Sequence, residues 1–290
     1  MTTHRSARYL FLALLLAMAL NASSPSPISL VGVTVCAGNA PLKHTAPGLE
    51  RLLKIAGVDL PVARGHSWRS MQPGWPSLRR LNKISRDWPS SDEAANTIAR
   101  AARASGPAGL TVICLGPPSN LAAALRASSD LADRLRRVVL MGGELTGGKL
   151  DLNLISDRAA ARTVLQSAVP TMIVPIQTCA QAAVTLDTIR KLEAQCCPSA
   201  AACALLPKMR LQARVMPGLV NVHVAPRLPS QLRWRPSTQL HRGFVPWDVV
   251  ALLAALRPEL FGEWEAHRVD VPPCKVCARH SLALHRTAGH

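Results

Sequence analysis

Two kinds of apolar pattern alternate along this chain. Short, uniformly apolar runs stop at glycine or small polar residues, and each is followed by a segment whose apolar positions recur at helical spacing. The strand-like runs are Ile28 to Val35, Leu110 to Leu115, Val138 to Met141 and Val169 to Ile176. Runs of this length bounded by breakers predict buried strands of a parallel sheet. Pro61-Val62-Ala63 predicts another, shorter strand. Helices are predicted over Asn39 to Ala56, with Leu49, Leu52, Leu53 and Ile55 at helical spacing, and over Asp92 to Ala104, started by Ser91 or Asp92 and stopped by Gly106-Pro107. Three more follow Asn120, Asp157 and Asp248. This strand–helix order predicts an α/β fold: a single open, mainly parallel sheet flanked by helices, Rossmann-like, over residues 1–271, with an irregular tail over 272–290.

Two segments carry their own alternatives. His4, Arg5 and Arg8 precede an apolar run from Tyr9 to Leu20, followed by Ala22-Ser23-Ser24-Pro25. That is the layout of a signal peptide, and it would make the protein secreted. The run is too short to span a membrane, which needs ~20 apolar residues. The competing reading, adopted here, is a first helix of the domain in a cytoplasmic protein. Gly65 to Pro89 is loop-rich, with Trp68, Trp75 and Trp88 among prolines and glycines, a length typical of lids. Residues 180–243 are helical in part and then rich in Pro and Arg.

Composition narrows the function classes. A net charge of +17 would suit a polyanion partner. However, the basic residues are scattered and aromatics make up only 3% of the chain, so no basic run is interleaved with rings that could stack on bases. No specific nucleic-acid partner is expected. Eight cysteines do not form a secreted framework. Cys36 and Cys114 lie in strand-like runs and read as buried free thiols. Cys274 and Cys277 form a lone C-x-x-C near His280; a structural zinc would need a fourth ligand, for which His267 and His285 are the candidates, but no second C-x-x-C matches it, and no zinc site is expected.

The candidate chemistry gathers where the strands end. Between Arg136 and Asp157, the apolar run stops at Gly142-Gly143, and a polar loop carries Asp151 and Asn153 before Asp157 opens a helix. Open α/β sheets bind ligands at this end of their strands, so a carboxylate, an amide and bare backbone suit a small polyhydroxyl ligand. The plainer alternative is a βα turn with Asp157 as helix cap.

Five segments in order resemble the inosine/uridine-preferring nucleoside hydrolase family. VTVCAGN, ending at Asn39, is similar to its T-V-A-G-N; ICLGPPSNLAAAL, containing Leu115, to its L-G-P-L-T-N-L-A; and VVLMGG, with Met141, to its M-G-G. DLNLISDRAAA resembles E-F-N-I-x-x-D-P-E-A-A, and PWDVVALLAALRPELF, with Trp247 and Asp248, resembles the family's last helix segment. The resemblance, over about residues 11–271, implies hydrolysis of the N-glycosidic bond of ribonucleosides to ribose and base. It implies a calcium ion that holds the attacking water and the ribose hydroxyls. Asp248 would then be a calcium ligand, with the Leu115 backbone carbonyl as another. Asn39, Asp151 and Asn153 would bind ribose hydroxyls, with Met141 near the sugar. Trp247, where many members have His, would stack on a purine, with Trp75 on its other face. Homo-oligomers are common in the family.

The sequence departs from the pattern at both ends. The family's D-x-D-x-x-x-D-D motif supplies the general base and metal carboxylates, but Tyr9 and Leu10 stand where its last acid pair belongs. No Asp or Glu precedes Glu50. Asp151 stands where the family has Glu, and PPCKVCARHS replaces its closing elements. The resemblance therefore implies an incomplete hydrolase that does not catalyse as written. The alternatives are a non-catalytic nucleoside-binding or interaction protein, and a basic nucleic-acid-binding protein.

Overall fold

The computed structural model describes residues 7–23, 28–38, 40–71, 87–143, 145, 151–194, scattered positions between 207 and 214, 243–270 and 283–286. The central ladder is parallel, with β3 (Leu110–Cys114), β4 (Leu135–Met141) and β5 (Thr171–Val174) side by side and β4 in the middle. Val138, Val139 and Leu140 of β4 are almost fully buried, as expected for a strand paired on both edges and covered on both faces. One face is covered by α3 (Glu93–Ala104), α4 (Ser119–Ala127) and α7 (Arg158–Leu165), which pack Ile98, Leu121 and Val164 with Val138 and Leu140. The other face is covered by α8 (Ile176–Gln181) and α10 (Trp247–Leu256), where Val250 and Ala251 meet Val139 and Val174.

A second parallel ladder pairs β1 (Val33–Val35) with β2 (Val62–Arg64). Beside it lies α2 (Leu42–Ala56), which buries Leu42, Leu49 and Leu53. The first helix, α1 (Ala7–Asn21), packs Ala13 and Ala17 against Leu252 of α10. That contact fits a helix of the domain. Among the described residues, no helix is long and apolar enough to cross a membrane. The two ladders meet at the C-terminal ends of their strands, where the Cys36 thiol donates to the Pro117 carbonyl at 3.5 Å and Asn120 Oδ1 accepts the His66 amide at 3.0 Å.

The remaining described elements are α5 (Leu131–Arg134), α6 (Leu152–Ser156), β6 (Val184–Thr185), α9 (Leu186–Ala194), β7 (Gly243–Phe244), a 3-10 turn at Pro258–Phe261, β8 (His267–Asp270) and β9 (Ala283–Arg286).

Several expectations are corrected. The long strand from Ile28 is confined to Val33–Val35. Pro61, next in register, accepts the Val33 amide but has no N–H to donate, and the Leu30 amide goes to the Asn21 side chain. The α/β class with parallel strands flanked by helices holds, with the β1–β2 and β3–β4–β5 ladders hydrogen-bonded separately among the described residues. β3 is half-buried at all five positions, not buried, because it pairs with β4 alone among the described residues. Ile55 lies outside the apolar face of α2, 75% exposed in its last turn. The tail is not wholly irregular, since β9 pairs antiparallel with β8.

Candidate active site

The site forms where β4 runs out. Gly142 and Gly143 follow Met141 with φ of 154° and 89°, backbone that favours glycine. A Cβ on Gly142 would lie 2.5 Å from Asp151 Oδ1, so the missing side chain makes room for that carboxylate. Asp151 caps α6, its Oδ1 accepting the Leu154 amide at 3.1 Å, and the Gly143 and Asn153 amides also face the carboxylate.

Two residues on, Asn153 reaches back across the strand ends. Its Nδ2 donates to the Met141 carbonyl at 3.0 Å and the Leu115 carbonyl at 3.2 Å, and lies 3.2 Å from Met141 Sδ. Carbonyl oxygens can only accept, so the amide nitrogen must face them. This one side chain ties the end of β3 to the end of β4.

Asp248 enters from the first turn of α10, where the helix dipole favours an acid. It is only 8% exposed. Burial, and secondarily Asp151, push its carboxyl up to about 7. Asp151 keeps some surface as a residue, but burial of its carboxyl dominates and raises it to about 6 against the opposing backbone amides. Cys179 of α8 lies within the same field. Burial, Asp248 and Asp151 together raise its thiol to about 12, and its Sγ contacts the Trp247 carbonyl at 3.9 Å. Trp247 itself is half-buried beside the Met141 and Val174 cluster. The arrangement combines two acids held near neutrality, an amide and an indole, which suits a ligand that is polar at one end and flat and apolar at the other.

The structure thus gathers six expected residues: Leu115, Met141, Asp151, Asn153, Trp247 and Asp248. Asn39 and Trp75 lie outside the described residues, as do Cys274 and Cys277. Asp157 is the helix cap of the plainer reading. Its Oδ1 accepts the Ala160 amide at 3.2 Å and its Oδ2 the Ser119 hydroxyl at 2.8 Å. Cys179 was missed. Its place just after a strand end, behind Gln177-Thr178, was the only signal.

The profile of the "Inosine-uridine preferring nucleoside hydrolase" family matches residues 11–287. The chain belongs to this family. The match also runs past residue 271, where the likeness of individual motifs ends. Among relatives of this nucleoside hydrolase family member, the pyrimidine-specific ribonucleoside hydrolase RihB of Escherichia coli O9:H4 (strain HS) is 28% identical over 191 residues. The protein of the same name in Shigella flexneri matches equally. Each alignment covers 61% of this chain, and the chain spans 60% of those relatives' length. The purine-preferring ribonucleoside hydrolase from Gardnerella vaginalis superposes with a TM-score of 0.67 at 20% identity, over 92% of this chain and 84% of that one. The plant nucleoside hydrolase PpNRh1 gives 0.63 at 16%, over 96% and 89%. At these identities the likeness establishes the fold.

Calcium takes 6–8 oxygen ligands, carboxylates prominent among them. Here the two expected donors are the Asp248 carboxylate and the Leu115 carbonyl, and the latter already accepts from Asn153. Among the described residues, no three His, Cys, Asp or Glu side chains come together as a metal-binding group. This donor set does not fit a calcium ion.

Proposed function

We propose that this pocket recognises ribonucleosides for the reaction of its family, hydrolysis of the N-glycosidic bond to ribose and free base. The observation that carries the reading is the convergence of Asp151, Asn153 and Asp248 with the Trp247 indole at the ends of β3, β4 and α10. In that reaction water adds to the anomeric carbon as the bond to the base breaks, through an oxocarbenium-like state. In our reading, Asp151, Asn153 and Asn39 orient the ribose hydroxyls, Met141 lines the sugar and Asp248 closes the floor. Trp247 stacks on the leaving base, which favours a purine, and Trp75 covers its other face. These residues supply recognition, and none of them is assigned to water activation. We read the protein as cytoplasmic, taking α1 as a helix of the domain packed against α10.

A second reading, nucleoside binding without cleavage, is favoured by the Asn153 amide on the Leu115 carbonyl. Titration with inosine, adenosine and uridine, followed by indole fluorescence and chromatography of free base, tests both. Saturable quenching is expected, tighter for the purine nucleosides. Trp247→Ala should weaken purine binding by roughly 10-fold, the worth of about 1–1.5 kcal/mol of aromatic stacking. No saturable binding by any of the three ligands would overturn the reading. Base release that Asp248→Ala abolishes would favour cleavage over binding alone.

A further inference from the structure

We infer that the Asn153 amide stands in the cation's place, so that the pocket binds its ligand without a divalent ion. A cation at the strand ends would have to draw in the Leu115 and Met141 carbonyls and balance the charge of Asp248. In this chain the two hydrogens of one Nδ2 are spent on those two carbonyls, at 3.2 and 3.0 Å. The amide is a fixed, uncharged donor, and three backbone amides around Asp151 hold the loop that carries it. Among the described residues the carboxylates do not outcompete it, since Asp151 is turned toward those backbone amides and Asp248 is the one further acid beside it. Displacing Asn153 would cost a half-buried amide its two carbonyl partners while gaining an ion with few ligands among the described residues, and both changes are unfavourable. The amide itself satisfies both carbonyls and fixes the geometry of the strand ends.

The inference rests on the nucleoside reading only for the identity of the ligand. Its cation arm is independent, so the two can fail separately. Calcium chloride is titrated into the full chain by calorimetry, and inosine binding is measured by indole fluorescence with EDTA and with excess calcium. The wild-type chain should show no saturable calcium heat, and its inosine affinity should be the same in both buffers. Asn153→Asp removes the donor and adds a carboxylate beside the Leu115 and Met141 carbonyls. It should gain calcium binding in the range of weak sites, Kd on the order of 1 mM or below. It should also melt higher with calcium than with EDTA. Stoichiometric calcium binding by the wild-type chain, lost in Asp248→Ala, would overturn the inference. So would inosine binding that requires calcium. If Asn153→Asp does not fold, those two wild-type measurements still decide it. Absent inosine binding together with absent calcium binding would sink the nucleoside reading and leave the amide assignment supported.

Discussion

Asp157 serves two neighbours at once, the Ala160 amide at the start of α7 and the Ser119 hydroxyl at the start of α4. Both helices pack on the same face of the central ladder, so this carboxylate locks their N-termini together. Asp157→Ala removes a cap and strands a hydroxyl that is fully buried. It should cost about 2–3 kcal/mol, as a lower midpoint in urea with an unchanged slope. Asn153 also couples two elements, but through carbonyls at the pocket, and its loss should be read in ligand binding before stability. Asp151 and Asp157 are both helix caps by hydrogen bonding. Their difference in role comes from their surroundings, since the charge of Asp151 acts on Asp248 whereas Asp157 bonds the Ser119 hydroxyl.

At the level of elements, α2 shows how far a cap can come from. Pro41 at its N-cap has no side chain able to accept, and the orphan amides of Leu42 and Lys43 both donate to Asp87 at 3.0 Å, from 45 and 44 residues away. Asp87 also accepts the Trp68 amide at 3.3 Å. Asp87→Ala should destabilise by roughly 1–2 kcal/mol, and the loss should appear first as faster amide exchange in the opening turn of α2. β3 poses a different problem. Its apolar residues are half-buried, and its second edge pairs with no strand among the described residues. Unpaired apolar strand edges template association. The purified chain should therefore associate as its concentration rises, visible in light scattering. A monodisperse sample with a sharp cooperative melt would count against this.

For the whole molecule, the acid pair sets a pH dependence. Below the ordinary carboxylate value of 3.8, Asp151 and Asp248 are protonated both folded and unfolded, and their contribution is fully present. As pH rises toward about 6 and 7, the unfolded chain gives up protons that the folded chain retains, so stability falls across that window. The melting temperature should be higher at pH 5 than at pH 8. Asp248→Asn, which cannot ionise, should flatten the slope. An unchanged slope would mean that the acid pair is more solvated than its packing implies. The net charge of +17 adds a diffuse self-repulsion to the folded chain.

The apolar periodicity of the sequence determined the element order and the parallel α/β class, because strand and helix repeats are local properties of the chain. It also placed Asp151, Asn153, Trp247 and Asp248 at strand or helix ends, where breakers and caps mark them. The extent of the strands was not legible, since β1 stops where Pro61 fails to donate and β3 is half-buried because one edge has no partner among the described residues. Only the tertiary structure decided that Asn153 would satisfy the Leu115 and Met141 carbonyls, that Cys179 would sit beside the acid pair and that Asp87 would cap α2. Each of these depends on distance across the fold rather than along the chain, and hydrogen-bond satisfaction and desolvation act only once those distances are closed.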